Sequence, residues 1–320
     1  MRLIRDLADL PHRFRSGAVA IGNFDGVHLG HARIARQLIE RARGVGGPSL
    51  VFTFDPHPVR LLRPHDAPPP LTWTDRKAAL LFELGVDCVL AYPTDEALLQ
   101  LSARDFFEQI VRARLDARAL VEGPNFFFGH NREGNIDLLR RYAAEANIEC
   151  EIVEPVYVDG KIVSSSRVRK LIAAGEVRMA SQLLTRPYRI RGMVAHGAAR
   201  GAKLGFPTAN IEAIDTLLPA VGVYAGIAHL GGASHTAAIN IGPNPTFGEH
   251  ALKVEAHLLD WHDSIYGQPL EVDFLARVRE VRTFDGVDAL KRQLQADIIE
   301  TRRIVTEHQQ EHSAKPTEAS

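Results

Sequence analysis

The stretch Gly22-Asn-Phe-Asp-Gly-Val-His-Leu-Gly-His31 joins an apolar run to an amphipathic one. Residues 18–24 have the pattern of a β-strand, and residues 31–43 have the apolar spacing of a helix. A glycine-rich turn from a strand into a helix lets backbone amides and the helix N-terminus hold phosphate. The stretch therefore predicts an α/β domain that binds a phosphorylated ligand at the carboxyl edge of a parallel sheet.

The first half of the chain alternates short apolar runs with helical patterns. After the first strand, the predicted strands are 50–54, 88–92, 119–122 and 148–153. After the first helix, the predicted helices are 75–84, 102–114 with Ser102 as N-cap, and 135–146. Such alternation is typical of a parallel sheet that helices cover on both faces, so we expect a Rossmann-like α/β domain.

The pattern changes near Pro187. The predicted strands then follow one another without long helices between them, at 188–195, 223–230, 236–241, 253–261 and 270–274. This pattern favours a small closed β-barrel, followed by a helix at 287–307 and a polar, disordered tail at 309–320. The predicted fold class is therefore α/β plus β, with domains at 1–185 and 186–308.

The composition restricts the kinds of partner. The 38 basic and 39 acidic residues give a net charge of −1, which provides no extended basic surface for nucleic acid. No apolar run approaches the ~18 residues typical of a membrane helix, and the N-terminus lacks a signal-peptide pattern. Cys88 and Cys150 lie in strand-like runs and are expected to be thiols of a reducing compartment, with a disulfide as the alternative. We expect a cytoplasmic protein, a monomer or weak homo-oligomer, that acts on small molecules and not on nucleic acid or membranes.

Two histidines stand where the glycine-rich turn becomes the helix. His28 and His31 are three residues apart and therefore face the same side. Two imidazoles there can donate hydrogen bonds to a triphosphate and stabilise the charge that develops at its α-phosphorus. A metal site is one alternative, with Asp25 as the nearest carboxylate but no third ligand at a convincing spacing. A pair of ordinary surface histidines is the other.

The stretch resembles the His-x-Gly-His nucleotidyltransferases and, more narrowly, the FAD synthetase module of bacterial bifunctional riboflavin kinase/FMN adenylyltransferases. Three further motifs of that family recur in order, at Phe54-Asp-Pro-His-Pro58, Gly123-Pro-Asn-Phe-Phe-Phe-Gly129 and Val163-Ser-Ser-Ser-Arg-Val-Arg169. The resemblance implies attack of the FMN phosphate on the α-phosphorus of ATP, with Mg²⁺ sharing the charge. It assigns catalysis to His28, His31 and Arg169. It implies an ATP and FMN site made of Gly22, Asn23, Phe24, Asp25, Gly26, Gly30, His57, Asn125, Ser164 and Ser165.

Some of these residues also have plainer interpretations. Ser164 or Ser165 can cap the helix that follows and leave amides for phosphate, while Arg169, one turn on, can clamp the β- and γ-phosphates. An ordinary serine-capped helix with a solvated arginine is the alternative. Ser166 stands where the family usually has threonine and keeps the hydroxyl. His57, between two prolines, either contacts substrate or shapes a loop.

The second half carries the stretch Gly201-Ala-Lys-Leu-Gly-Phe-Pro-Thr-Ala-Asn210, which resembles the riboflavin kinase signature. Thr208 and Asn210 are two apart on an extended segment, so their oxygens share one face and suit Mg²⁺. Supporting motifs lie at 191–197, 222–225, 240–247 and 254–260. The resemblance implies that Glu255 is the base that takes the proton of the acceptor alcohol. It implies an ATP and flavin site made of Gly197, Gly201, Lys203, Gly205, Pro207, Thr208 and Asn210.

Taken singly, each feature of the second half has a plain alternative, namely a common turn for 207–210 and a solvent-facing strand residue for Glu255. Val281 stands where the family tends to have an acidic residue, which leaves the flavin contacts at 277–284 open. The predicted function is conversion of riboflavin to FMN by the second domain and of FMN to FAD by the first. The rivals are an enzyme with one of these activities, a flavin-binding module without turnover, and nucleotide transfer to another phosphorylated alcohol.

Overall fold

The fold is described for residues 1–196, 201, 204–243 and 252–313 in a computed structural model. Tertiary contacts divide the chain into two units. The first consists of Met1–Pro68 with Thr72–Ser165, and the second of Pro69–Leu71 with Ser166–Ser320. The division into enzymatic domains at residue 185 stays a prediction, because contacts alone do not assign an activity to residues 166–184.

A six-stranded parallel sheet forms the first unit, which confirms the predicted α/β class. The strand order is β1-β4-β3-β2-β5-β6, and apolar clusters lie on both faces. The strands are β1 Arg2–Ile4, β2 Ala18–Ile21, β3 Ser49–Asp55, β4 Cys88–Pro93, β5 Ala119–Glu122 and β6 Glu149–Ile152, with a small antiparallel pair β7 Tyr157–Val158 and β8 Lys161–Ile162. The helices are α1 Leu29–Gly44, α2 Pro58–Leu62, α3 Thr74–Glu83, α4 Glu96–Gln100, α5 Ala103–Asp105 continued by a π-helix Phe106–Arg114, and α6 Ile136–Glu145, with 3₁₀ turns at Leu7–Asp9, His12–Phe14 and His130–Arg132.

The largest boundary difference near the first motif is that β2 ends at Ile21 and not at residue 24. The amide of Gly22 still donates to the carbonyl of Phe52 at 2.9 Å, but Phe24 has φ of 48°, which no strand accommodates. The predicted cap at Ser102 is confirmed, since its hydroxyl accepts from the amide of Asp105 at 3.0 Å.

A buried carboxyl group lies where β2 and β5 separate. The two strands pair only at Ala18↔Ala119 and Val19↔Leu120. Beyond that point the amide of Ile21 donates to Oε1 of Glu122 at 2.7 Å, so a side chain replaces the missing backbone acceptor. Glu122 is only 2% exposed. Burial raises the pKa of Glu122 well above its usual value, and the hydrogen bond from Ile21 opposes that shift.

A closed antiparallel barrel forms most of the second unit, as predicted. Its strand order is β10-β13-β12-β11-β14-β9, and β9 pairs with β10 to close it. The strands are β9 Tyr188–Ala195, β10 Ala209–Glu212, β11 Gly222–Leu230, β12 Ala233–Gly242, β13 Lys253–Leu258 and β14 Pro269–Arg279. Helices α7 Ser165–Ala173 and α8 Val177–Leu184 precede the barrel, and α8 packs against β14 and β9.

The terminal helix α9, Val287–Ser313, packs on the outside of the barrel. Ile304 and Val305 are buried in an apolar cluster with residues of β11 and β14. Arg279 holds the helix through a two-point contact with Asp297, at 2.9 Å from Nε to Oδ1 and 2.7 Å from Nη2 to Oδ2. The helix continues beyond its predicted end at residue 307, so residues 309–313 of the predicted tail are helical, and residues 314–320 lie outside the described part.

Both cysteines are free, so the predicted thiols are confirmed. Cys88 is fully buried in β4, and burial raises its pKa to about 12, whereas Cys150 is half-buried. Among the helices of the described residues, none is both long and apolar enough to cross a membrane.

Glu122→Gln is expected to remove a loss of stability at high pH. A raised folded pKa means that the contribution of Glu122 is fully present below its unfolded pKa and is lost as pH rises through the folded pKa. The glutamine keeps the acceptor for Ile21 but does not ionise. The measurement is the thermal unfolding midpoint of both proteins at pH ~5.5 and ~8. The variant should gain on the parent at the higher pH, and a difference that is the same at both pH values would contradict the assignment.

Candidate active sites

The turn from β2 into α1, residues 22–28, has an unusual backbone, and we call it the β2–α1 loop. Phe24 and Val27 have φ values of 48° and 40°, and Gly26 has φ of 83°. Only glycine adopts such values without cost, and a branched residue such as valine is a clear outlier there. Each non-glycine residue of this kind costs on the order of 1–3 kcal/mol, so the surrounding structure must hold the loop.

Asp25 and Ser165, both predicted to bind ligand, hold this loop through bonds within the protein. The carboxylate of Asp25 accepts from the amide and the hydroxyl of Thr72 at 3.1 and 3.3 Å. The hydroxyl of Thr72 accepts in turn from the amide of Gly26 at 3.2 Å. The hydroxyl of Ser165 donates to the carbonyl oxygen of Asp25 at 2.9 Å. Their positions explain how the loop keeps its shape, and direct contact with a ligand stays a prediction.

His28 and His31 are brought together at the N-terminus of α1. Their rings are stacked, with centroids 3.7 Å apart and planes 13° from parallel. His28 is the N-cap of the helix, and its Nδ1 accepts from the amide of His31 at 3.4 Å. Because Nδ1 acts as acceptor, the neutral ring of His28 carries its proton on Nε2. This arrangement places an imidazole N–H near the N-terminal end of a helix, and the two together suit a phosphate.

Gly30 lies close under the His28 ring, where a side chain would be in tight contact with that ring. A Cβ atom at Gly30 would lie 3.2 Å from both Cε1 and Nδ1 of that ring and 3.8 Å from the carbonyl oxygen of Val163. The ring therefore packs across the space that a side chain would occupy. This gives a physical reason for glycine in the helix start, where glycine otherwise costs stability.

The other predicted residues of the first site lie on the loops around this turn. His57 caps the short helix α2, with Nδ1 accepting from the amide of Val59 at 3.1 Å, so it does shape its loop. Asn125 is exposed in the turn after β5, and Ser164 is half-buried just before α7. Oδ1 of Asn23 is buried without a hydrogen-bond partner among the described residues, as expected for a group that awaits a ligand.

Arg169 belongs to the second unit. It lies on α7, is half-buried, and donates from Nε to the carbonyl oxygen of Pro69 at 3.3 Å. Its predicted contact with the β- and γ-phosphates stays a prediction.

The barrel places a carboxylate between two amides. Asn210 in β10 lies directly opposite Glu255 in β13, which in turn lies opposite Asn240 in β12. Directly opposed residues have Cβ atoms about 4.5–5.5 Å apart on one face of a sheet. The neighbours of these three residues along their strands are buried in the core, namely Ala209, Ile211, Val254, Ala256, Ile239 and Ile241. Asn210, Glu255 and Asn240 are therefore on the other face of the barrel wall, where all three are half-buried.

Thr208 shares the face of Asn210, as the predicted spacing requires, because the intervening Ala209 is buried. A Cβ atom at Gly201 would lie 3.4 Å from the Thr208 hydroxyl and 2.3 Å from the carbonyl of Phe206, so glycine allows the segment to fold back on itself. Gly205 has φ of 92° in the turn. The carbonyl of Pro207 accepts from the ring of His257 at 2.6 Å. The predicted residues Gly197 and Lys203, and residues 244–247 of the 240–247 motif, lie outside the described residues.

Sequence reasoning did not single out four groups as site residues. They are Thr72, the buried pair Thr53 and Lys77, Glu122 and Asn240. A signal existed for Lys77, which shares a buried helix face with Ala78, Leu80 and Leu81, and lysine is rarely buried without a partner. A signal for Asn240 existed in the strand period, which places it on the polar face. Thr72 and Glu122 act through contacts that are distant in the chain and leave no local pattern.

Two family models match the chain. The one described as FAD synthetase matches residues 11–167, and the one described as riboflavin kinase matches residues 184–305. A bifunctional riboflavin kinase/FMN adenylyltransferase of Pseudomonas fluorescens is 37% identical over 305 residues, which cover 95% of this chain and 98% of the relative. The relative of that name from Escherichia coli K12 is 34% identical over 304 residues, with 94% and 97% covered.

One solved structure shares this fold over nearly the whole chain. It is named a macrolide-efflux protein and comes from Streptococcus pneumoniae. The two have a TM-score of 0.84 and 32% sequence identity, and the match covers 94% of this chain and 98% of the other. Its name differs from those of the two family models and the curated relatives, which agree on riboflavin and FMN chemistry.

Gly30→Ala and Gly44→Ala make a matched pair in one helix. The first adds a methyl group against the His28 ring and should lower the predicted formation of FAD about tenfold or more, because displacement of a catalytic group by ~1 Å is costly. The second meets nothing within 4 Å and should raise helix stability by up to ~1 kcal/mol without change in activity. Rates of FAD formation and thermal unfolding midpoints test both. Equal activity of the two variants would contradict the assigned role of Gly30.

Proposed function

This chain belongs to the bifunctional riboflavin kinase/FMN adenylyltransferase family, and from that premise we propose that its barrel domain makes FMN from riboflavin and ATP and its α/β domain makes FAD from FMN and ATP. The observation that carries FAD formation is the stacked pair of His28 and His31 at the N-terminus of α1 in the α/β domain. The observation that carries FMN formation is the register of Asn210 and Glu255 on one face of the barrel.

Adenylyl transfer needs charge stabilisation more than proton removal. An oxygen of the FMN phosphate attacks the α-phosphorus of ATP, the bond from that phosphorus to the bridging oxygen breaks, and pyrophosphate leaves with the electron pair. The attacking oxygen is already anionic, so no general base is required. We assign the proton on Nε2 of His28 to the non-bridging oxygens, and His31, half-buried in the first turn of α1, presents the second imidazole. Mg²⁺, when bound with ATP, would neutralise further phosphate charge.

The remaining residues of the first site are assigned supporting contacts. Gly22 and Gly26 allow backbone amides to approach the phosphates, and the buried oxygen of Asn23 awaits a donor. Asn125 and Ser164 lie on loops that can reach ATP, and Arg169 supplies a planar cation for its terminal phosphates.

Riboflavin phosphorylation does require a base, because its acceptor is a neutral alcohol. The alcohol oxygen attacks the γ-phosphorus of ATP, ADP leaves with the electron pair, and the proton passes to the carboxylate of Glu255. Thr208 and Asn210 would hold Mg²⁺ through their hydroxyl and amide oxygens, which are the hard donors that this ion prefers. Asn240 stands beside Glu255 in the register and would orient that carboxylate or the alcohol through its amide.

The setting of the protein is also a proposal. A net charge of −1 and two free thiols agree with a cytoplasmic enzyme of small molecules that has no use for nucleic acid or membranes. We propose a monomer or weak homo-oligomer, as expected at the level of the sequence.

Incubation with riboflavin, ATP and Mg²⁺, followed by separation of the flavins, tests both activities. The parent protein should form FMN and then FAD. The double variant His28→Ala with His31→Ala should lose at least about 100-fold in FAD formation, because two donors to the developing charge are removed, while FMN accumulates at the parental rate. An equal loss of both products would show that the two sites are not independent, and formation of neither by the parent would overturn the proposal.

The reverse pattern is expected for the barrel. Glu255→Gln should lower FMN formation by about 10²–10⁴-fold, which is the usual contribution of a general base, and leave the conversion of added FMN to FAD unchanged. Asn210→Ala should raise the Mg²⁺ concentration that gives half-maximal kinase activity, because it removes a proposed ligand of the metal. The measurement is a titration of Mg²⁺ at fixed ATP. Kinase activity of Glu255→Gln close to that of the parent would remove Glu255 from the role of base.

A further inference from the structure

A buried lysine lies beneath the β2–α1 loop. Lys77 is on α3 and is only 6% exposed. Its ammonium group donates to the hydroxyl of Thr53 at 3.3 Å, and Thr53 is itself fully buried in β3. A cation out of contact with water costs free energy unless charges and hydrogen bonds compensate it. The groups that compensate Lys77 therefore indicate what it does.

The contact with Thr53 extends to the backbone of the active-site loop. The hydroxyl of Thr53 donates its proton to the carbonyl oxygen of Asn23 at 3.1 Å while it accepts from Lys77. A charged donor polarises the hydroxyl and strengthens the next bond in such a chain. The Asn23 carbonyl immediately precedes Phe24, the first residue of the loop with a positive φ. The two hydrogen bonds therefore fix the carbonyl group of Asn23, which is where the backbone enters its strained conformation.

Two carboxylates add to the surroundings of Lys77. Burial lowers the pKa of Lys77, and the negative charges of Asp25 and Asp55 oppose that shift. Asp25 belongs to the loop, while Asp55 ends β3 and accepts from the hydroxyl of Thr74 at 2.6 Å. Lys77 therefore acts on the loop at two places, through Thr53 at Asn23 and by charge at Asp25.

Stability alone does not account for a lysine here. Replacing a whole buried ion pair by apolar residues of similar volume is often neutral or stabilising, so a buried lysine is weak evidence for a stabilising role, although removing Lys77 alone would leave the buried charge of Asp25 without the lysine cation. Strained loops, in contrast, persist only where the surroundings over-determine their conformation. Thr72 and Ser165 hold the loop at Asp25 and Gly26. Among the side-chain contacts of the described residues, the bond from Thr53 is the one that holds the loop at Asn23.

We propose that Lys77 is a positioning residue for adenylyl transfer, which acts through Thr53 on the carbonyl of Asn23 and so holds the β2–α1 loop and the His28 ring in the geometry of the transition state. The inference rests on the proposed function of the first domain. In this proposal Lys77 does not contact the substrate, and its effect on the loop passes through the hydroxyl of Thr53.

The test is a double-mutant cycle of Lys77→Met and Thr53→Val in the full chain, with FMN and ATP as substrates. Each single variant should lower kcat for FAD formation about tenfold or more, with KM for ATP within about threefold, because a loss felt only in the transition state appears in kcat. The double variant should be no worse than the poorer single variant within about twofold, because both changes break the same relay.

Controls separate this role from a structural one. Thr301→Val removes another fully buried threonine hydroxyl, in α9, and should leave FAD formation unchanged. Riboflavin phosphorylation by the same variants should stay within about twofold of the parent. Lys77→Met leaves the buried charge of Asp25 without the lysine cation and should unfold at a lower temperature, so rates are measured well below that temperature and corrected for the folded fraction.

Three outcomes would overturn the proposal. They are a kcat within about twofold of the parent for Lys77→Met, single effects that multiply in the double variant, and a loss that disappears when rates are corrected for the folded fraction. Absence of FAD from the parent protein would instead overturn the proposed function, and this inference with it.

Discussion

The separation of β2 and β5 at their carboxyl ends is the constraint on which the first site depends. Backbone pairing between the two strands ends at Val19 and Leu120, so the chain is free to leave the sheet there, as ligand sites of open α/β sheets require. Leaving the sheet exposes an amide that must still be paired, and the carboxyl of Glu122 satisfies it. The strained loop, its buried supports and the histidine pair all follow from that exit point.

In the barrel, the candidate site is positioned by strand register and not by a strained loop. The side chains proposed for its chemistry lie within strands, where antiparallel register decides which groups are neighbours, and this register brings Asn210, Glu255 and Asn240 together. The difference matches the two chemistries. Transfer to an anionic phosphate depends on donors aimed at developing charge, for which loop amides and a helix N-terminus are suited. Transfer to a neutral alcohol depends on a base, which a rigid strand can hold in place.

Much of this organisation could be predicted from the sequence, because it depends on local pattern. The alternation of strands and helices gave the parallel sheet, the close succession of strands gave the barrel, and the spacing of His28 and His31 gave their common side. What could not be predicted depends on contacts between distant segments. The sequence does not reveal that Asp25 accepts a hydrogen bond from the amide of Thr72, 47 positions away, and its predicted contact with a ligand stays a prediction. Likewise, the fold alone brings Lys77 to the hydroxyl of Thr53 and Glu122 to the backbone amide of Ile21.

The capping of α1 by His28 would link folding to the proposed catalysis through a single imidazole ring. The Nδ1 that accepts from the amide of His31 is in the same ring as the Nε2 to which we assign the donated proton. A chain whose first helical turn has frayed therefore lacks an oriented imidazole, however intact the rest of its sheet. FAD-forming activity per molecule would therefore report how well ordered this one helical turn is. Local unfolding at the start of α1 would lower the activity before global unfolding could be detected.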